Sequence, residues 1–179
     1  MMKTNKKEMS KAAIILLLAL CVLWTVLVGA LSRNYAIYIV TTDSMRNSLY
    51  PGDMVLVKTD SYDLNMGDVV LYRLGNKLQC KRIAALPGDE VDFDADGRLS
   101  VNGSIRNVNR EDTDDSTGTL PMPYILAEKN YFMLGDDRAK SIDSRAAAIA
   151  GIEQKDICGK VLFRLRPLKG FGSINRSER

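Results

Sequence analysis

From Ala12 to Leu31 the chain runs for twenty residues without a charge. At a rise of about 1.5 Å per residue, a helix of that length extends about 30 Å, the thickness of a bilayer's hydrocarbon core. Such a segment divides the chain. It has to be buried in lipid, and the remainder must build its own core. Lys3, Lys6, Lys7 and Lys11 stand before it against Glu8, while Arg33 follows it. This imbalance predicts that residues 1–11 are a cytoplasmic tail, residues 12–32 a transmembrane anchor, and everything after Ser32 extracytoplasmic. The rival is a cleaved secretory signal, for which Gly29-Ala30-Leu31-Ser32 offers small residues. The apolar run is longer than the roughly 7–15 residues of a signal's apolar region, which favours an uncleaved anchor in the cell membrane.

Beyond the anchor, residues 33–167 are expected to form one domain. The tail at 168–179, rich in Gly, Ser and charge, is expected to be disordered. A net charge of +3 with dispersed basic residues and no nucleic-acid motif excludes a nucleic-acid partner. The chain has no histidine. That removes Ser-His-Asp and Cys-His catalysis and most zinc and iron sites, so no metal and no cofactor is expected. A general base must be a carboxylate, lysine, tyrosine or terminus. Cys21 lies in the apolar segment, and Cys80 and Cys158 either pair or stay free.

The domain reads as many short strands. Candidates are Tyr35–Thr42, Met54–Lys58, Val69–Leu74, Lys77–Ile83, Glu90–Phe93, Arg98–Val101, Ser104–Arg106, Pro121–Leu126, Asn130–Leu134 and Ile157–Leu165. Pro51-Gly52, Gly75-Asn76, Asp96-Gly97 and Asn102-Gly103 supply turns. A helical turn is predicted at Asp143–Ala150, and an exposed acidic loop at 109–120 without EF-hand spacing. The fold class is all-β, a barrel-like antiparallel sheet behind one helix. In the strand at 77–83, alternation places Gln79, Lys81 and Ile83 on one face, so Lys81 is directed inward. Without histidine, a neutral lysine amine can serve as the base if its pKa falls. An ordinary lysine pKa of about 10.4 leaves roughly one amine in a thousand neutral near neutrality, and lowering it by about three units costs about 4 kcal/mol, which burial can supply.

Three stretches carry a resemblance. They are Thr42-Asp43-Ser44-Met45-Arg46-Asn47-Ser48-Leu49, Lys81-Arg82-Ile83-Ala84-Ala85-Leu86-Pro87-Gly88-Asp89, and Gly135-Asp136-Asp137-Arg138-Ala139-Lys140-Ser141-Ile142-Asp143-Ser144-Arg145. In this order they resemble the bacterial type I signal peptidases, membrane-bound serine proteases with a Ser/Lys dyad. The resemblance runs from the apolar segment to about Pro167. It implies that Ser44 is the nucleophile and Lys81 its base, with the Ser44 N–H and the Thr42 hydroxyl as oxyanion donors. It further implies that Ser141 hydrogen-bonds the lysine amine and that Asp143 and Arg145 form a bracing pair. The implied partners are the lipid bilayer and secretory preproteins cut after small residues of the Ala-x-Ala kind. A preprotein would lie as a strand along Ile37–Thr42, its small side chains against Ile37, Ile39, Met45, Leu49 and Cys80.

The chain departs from the family's Ser-Met-x-Pro-Thr-Leu, with Asn47 for proline and Ser48 for threonine. Loss of the proline is expected to loosen the segment after Ser44. Asp43 stands where small residues are usual, and its charge is expected to raise the Lys81 pKa. The alternative is a non-catalytic relative that binds exported or pilus proteins during assembly. A self-cleaving repressor would need a DNA-binding domain where this chain has its apolar segment.

Overall fold

The computed structural model describes residues 5–59, 63–94, 98–109, 119–167 and 172–174. The acidic segment at 110–118 and the Asp96-Gly97 turn lie outside them. A single helix, α1 (Asn5–Asn34), carries the apolar segment, and its side chains at Ile14–Val28 are exposed. Over Lys11–Asn34 it is long and apolar enough to cross a membrane. The first strand, β1 (Tyr35–Ile39), follows without a linker.

The remaining strands are β2 (Met54–Lys58), β3 (Val69–Leu74), β4 (Lys77–Ala85), β5 (Glu90–Phe93), β6 (Arg98–Val101), β7 (Ser104–Asn109), β8 (Tyr124–Ile125), β9 (Asn130–Leu134), β10 (Gly151–Glu153), β11 (Ile157–Arg166) and β12 (Gly172–Ser173). They form an eight-stranded sheet in the order β1-β2-β11-β3-β4-β9-β10, with β12 on β11, and a four-stranded sheet in the order β7-β6-β5-β8. Every strand pairing is antiparallel. The all-β expectation holds, but the large sheet does not close. Among the described residues its path ends at β1 and β10, so β1 keeps an unpaired edge.

β3 shows why this sheet needs cover on both faces. Val69 and Leu71 enter one cluster with Val40, Met45, Leu49, Val55 and Cys80. Val70 and Tyr72, pointing the opposite way, enter another with Ile83, Tyr131 and Met133. A third cluster, including Val91, Leu99, Val101, Phe132 and Leu134, joins the two sheets. Cutting the buried Phe132 back to alanine costs about 3–5 kcal/mol at a site of this kind.

Three local readings change. The strand read at 121–126 shrinks to Tyr124–Ile125 because Pro121 and Pro123 have no N–H to offer a ladder. The helical turn read at 143–150 is confined to its end, where the Ala146 carbonyl accepts from the N–H groups of Ile149 and Ala150 (both 2.9 Å). Ser144 gives its N–H to the Met133 carbonyl (3.0 Å) and its hydroxyl accepts from the Met133 N–H (2.9 Å), tying the segment to β9. Within the tail read as disordered, Gly172 and Ser173 pair with Arg164 and Phe163.

Candidate active site

The segment after β1 is fastened at both ends. Val40 gives its N–H to the Asp53 carbonyl (2.9 Å) and accepts from Gly52 (2.8 Å). An Asp53 carboxylate oxygen accepts from the Tyr50 N–H (2.9 Å) and from Arg164 (3.2 Å). Between these points Thr42 is extended and Asp43–Met45 make one 3₁₀ turn. Met45 and Leu49, fully buried, nail the turn into the core and leave Ser44 above it.

Lys81 reaches this turn from β4. Its pairing partner is Val70, so it shares the sheet face of Tyr72, Ile83 and Met133. Only 2% of Lys81 is exposed. Lys81 Nζ donates to Ser44 Oγ at 2.5 Å, and Thr42 Oγ1 lies 3.2 Å from the same oxygen. Burial pushes the Lys81 pKa below its ordinary value, and the Arg145 charge adds to the effect, while Asp143, Cys80 and Asp136 oppose it. Asp43 is not among these groups. It is turned to the surface in an ion pair with Arg46 (3.0 Å). Burial raises the Cys80 thiol to about 12, which keeps it neutral, and both Cys80 and Cys158 are free.

The third stretch closes over the pair. Arg145 and Asp143 form a buried two-pronged ion pair, Nε to Oδ1 at 2.8 Å and Nη2 to Oδ2 at 3.1 Å. Asp143 also accepts from the Gly135 N–H (3.0 Å), and Arg145 donates to the carbonyls of Arg138 (2.7 Å) and Ser141 (3.1 Å). Three hydrogen bonds therefore run from one residue pair to the start, the middle and the end of the loop. The loop meets the Ser44 turn where the Asp137 N–H donates to the Ser44 carbonyl (3.0 Å). Close approach here demands glycine at 135, since a Cβ would overlap Ser141 and come within 2.5 Å of the Ser44 carbonyl oxygen. Ser141 Oγ is buried and makes no hydrogen bond among the described residues, so its expected bond to Lys81 is not formed.

Ile37 and Ile39 stand exposed on the edge strand β1. Met45, Leu49 and Cys80 are buried in the cluster that Tyr38 packs against, on the face of β1 opposite to Ile37 and Ile39, so the five expected lining residues are not brought together.

Two contributors escaped sequence reasoning. Arg82 grips Asp136 with Nε (2.8 Å) and Nη2 (2.6 Å) and donates to the Gly67 carbonyl (2.6 Å) and the Ser48 hydroxyl (3.2 Å). It thus ties together all three stretches, although only its adjacency to Lys81 hinted at a role. Tyr72 reaches the lysine's face through β3–β4 register, for which no local signal exists. Asn47 is also different from expectation. Its φ is +85°, a value proline cannot adopt, and the segment is closed by Met45 carbonyl bonds to the N–H groups of Ser48 (3.0 Å) and Leu49 (2.8 Å). The turn is fastened by another route and is not loosened.

The family model described as signal peptidase, peptidase S26, matches residues 6–166. The chain is 31% identical to a signal peptidase I of Bacillus amyloliquefaciens, over 99% of this chain and 100% of that protein. It is 32% identical to a signal peptidase IB of Staphylococcus aureus, over 75% and 79%. Among solved structures, a signal peptidase I from Enterococcus faecalis aligns with a TM-score of 0.44 at 23% identity, over 55% of this chain and 96% of that one. With a family match over nearly its whole length and relatives above 30% identity, the chain belongs to the signal peptidase family, peptidase S26.

Proposed function

We propose that this chain is a membrane-anchored serine endopeptidase that removes signal peptides from exported preproteins after small residues of the Ala-x-Ala kind, through a Ser44/Lys81 dyad. The observation that carries the reading is the 2.5 Å contact between Lys81 Nζ and Ser44 Oγ, made in a buried site by residues far apart in sequence. A lysine held there with a lowered pKa has a neutral fraction that grows with pH. In that form its lone pair accepts the Ser44 O–H, reversing the hydrogen bond.

Ser44 Oγ then attacks the scissile carbonyl carbon while its proton passes to Lys81. The oxyanion is met by the Ser44 N–H and the Thr42 hydroxyl, donors of a type worth about 3–4 kcal/mol each. Collapse expels the amine with the proton from Lys81, leaving an acyl ester on Ser44. Water, deprotonated by the same lysine, hydrolyses the ester. Asp143 and Arg145 hold the loop that carries Ser141.

The preprotein adds a strand to the open edge of β1. Its small side chains face Ile37 and Ile39. With the tail at 1–11 cytoplasmic and the domain outside, α1 holds enzyme and substrate in one bilayer, which raises their effective concentration.

The test is cleavage of a preprotein bearing an Ala-x-Ala site by the full chain in detergent with lipid, beside Ser44→Ala and Lys81→Ala. Cleavage at that site by wild type and by neither folded variant is expected. Binding without cleavage by wild type overturns the reading in favour of the non-catalytic one.

A further inference from the structure

A cavity of about 30 Å³ lies where the two sheets meet. Ile83 and Leu134 wall it from the large sheet and Leu99 from the small one, and three arginines line it: Arg82 on β4, Arg106 on β7 and Arg138 just after the Gly135-Asp136 turn. Arg82 is engaged with Asp136. The other two are not satisfied. Arg106 Nε and Arg138 Nη1 are buried, and neither has a hydrogen-bond partner among the described residues. A buried donor left without an acceptor is costly, the more so when it is charged. Burial lowers the Arg138 pKa to about 10, with Arg145 and Arg82 adding to the effect against Asp143 and Asp136. Three guanidinium groups thus line a space in which, among the described residues, Asp136 pairs with one of them.

We propose that this cavity binds a small oxyanion of the phosphate class, held by Arg106 and Arg138 with Arg82 as the third guanidinium. Planar guanidinium donors match the oxygens of such ions in pairs. One water needs about 10–15 Å³ by the same measure, so the space takes an ion of a few heavy atoms and excludes larger anions. That size favours a free ion over the phosphate of a lipid headgroup. The bound ion connects β7 of the small sheet to the catalytic loop. Arg138 is fastened to Arg145 through its carbonyl, and Arg82 holds Asp136. Anion binding therefore stiffens the loop from behind. The inference does not depend on the peptidase reading, because it is tested by stability and direct binding.

The full chain in non-ionic detergent is melted in rising inorganic phosphate, against sodium chloride at matched ionic strength. A saturable rise is expected with phosphate alone, about 3–6 °C when phosphate stands at ten times its Kd. Identical curves in both salts overturn the proposal. Arg106→Gln is expected to lose the phosphate-dependent rise, and a full rise in that variant overturns the assignment. Equilibrium dialysis of wild type with radiolabelled phosphate needs no variant. One saturable site per chain is expected, and none overturns the proposal. Micelles containing phosphatidylglycerol without free phosphate are expected to give no rise. A rise there, with no free phosphate bound in dialysis, transfers the site to lipid and overturns the free-ion assignment.

Discussion

Restoring the family's proline at position 47 is expected to harm this protein. Asn47 sits at φ +85°, where proline's ring, fixed near −65°, cannot follow. The turn has to open. Its two closing hydrogen bonds, from the N–H groups of Ser48 and Leu49 to the Met45 carbonyl, are then lost. Leu49 is fully buried, so its N–H becomes an unsatisfied donor at about 1–3 kcal/mol, and the Ser48 bond adds about 1 kcal/mol. Displacing Met45 and Leu49 from their core positions adds more, so Asn47→Pro should cost about 3 kcal/mol or more. At about 2–4 °C per kcal/mol for a chain of this size, Tm falls by about 6–12 °C. Asn47→Ala keeps the fold but places a Cβ at positive φ, for about 1–2 kcal/mol, and Asn47→Gly should change stability by less than about 1 kcal/mol. Thermal melts of the three variants in detergent, with preprotein cleavage measured alongside, give the order Gly, Ala, Pro from most to least stable. A proline variant that melts at or above wild type refutes the left-handed turn and the reasoning built on it.

Lys81→Met should abolish cleavage yet raise Tm at pH 7. Between the lowered folded pKa and the ordinary value of about 10.4, the unfolded chain binds more protons than the folded one, so wild-type stability climbs with pH in that window, and the methionine variant should lose this slope in melts run across pH. Asp143→Asn leaves the Arg145 charge buried without its partner, for a loss of about 3–5 kcal/mol in denaturant titrations. Because Asp143 raises the Lys81 pKa, the same variant should move the acid limb of the cleavage profile to lower pH. Gly135→Ala forces Ser141 and the Ser44 carbonyl away by most of an ångström, so steady-state kinetics should show kcat lower by about 10²-fold.

The long apolar helix, the strand inventory and the three motif stretches were legible because each is a short-range pattern. A charge-free run of twenty residues, β-branched segments between Gly and Pro turns, and residue types at fixed spacing need no knowledge of distant contacts. The absence of histidine left a carboxylate, a lysine, a tyrosine or a terminus as candidate bases, and only the resemblance pointed to Lys81. The helical turn read at Asp143–Ala150, which forms only from Ala146 on, shows the limit. Its alanines favour a helical turn throughout, but Ser144's two bonds to Met133 hold the first residues against β9, a contact that local propensity does not show. The same holds for Arg82, whose fork is filled by Asp136, for Tyr72 on the lysine's face, and for the positive φ at Asn47 that replaces a proline turn. Chemistry could be read from residue types. Burial, pKa and the distance between Ser44 and Lys81 depend on register between strands, and register is set by how all the apolar faces pack at once.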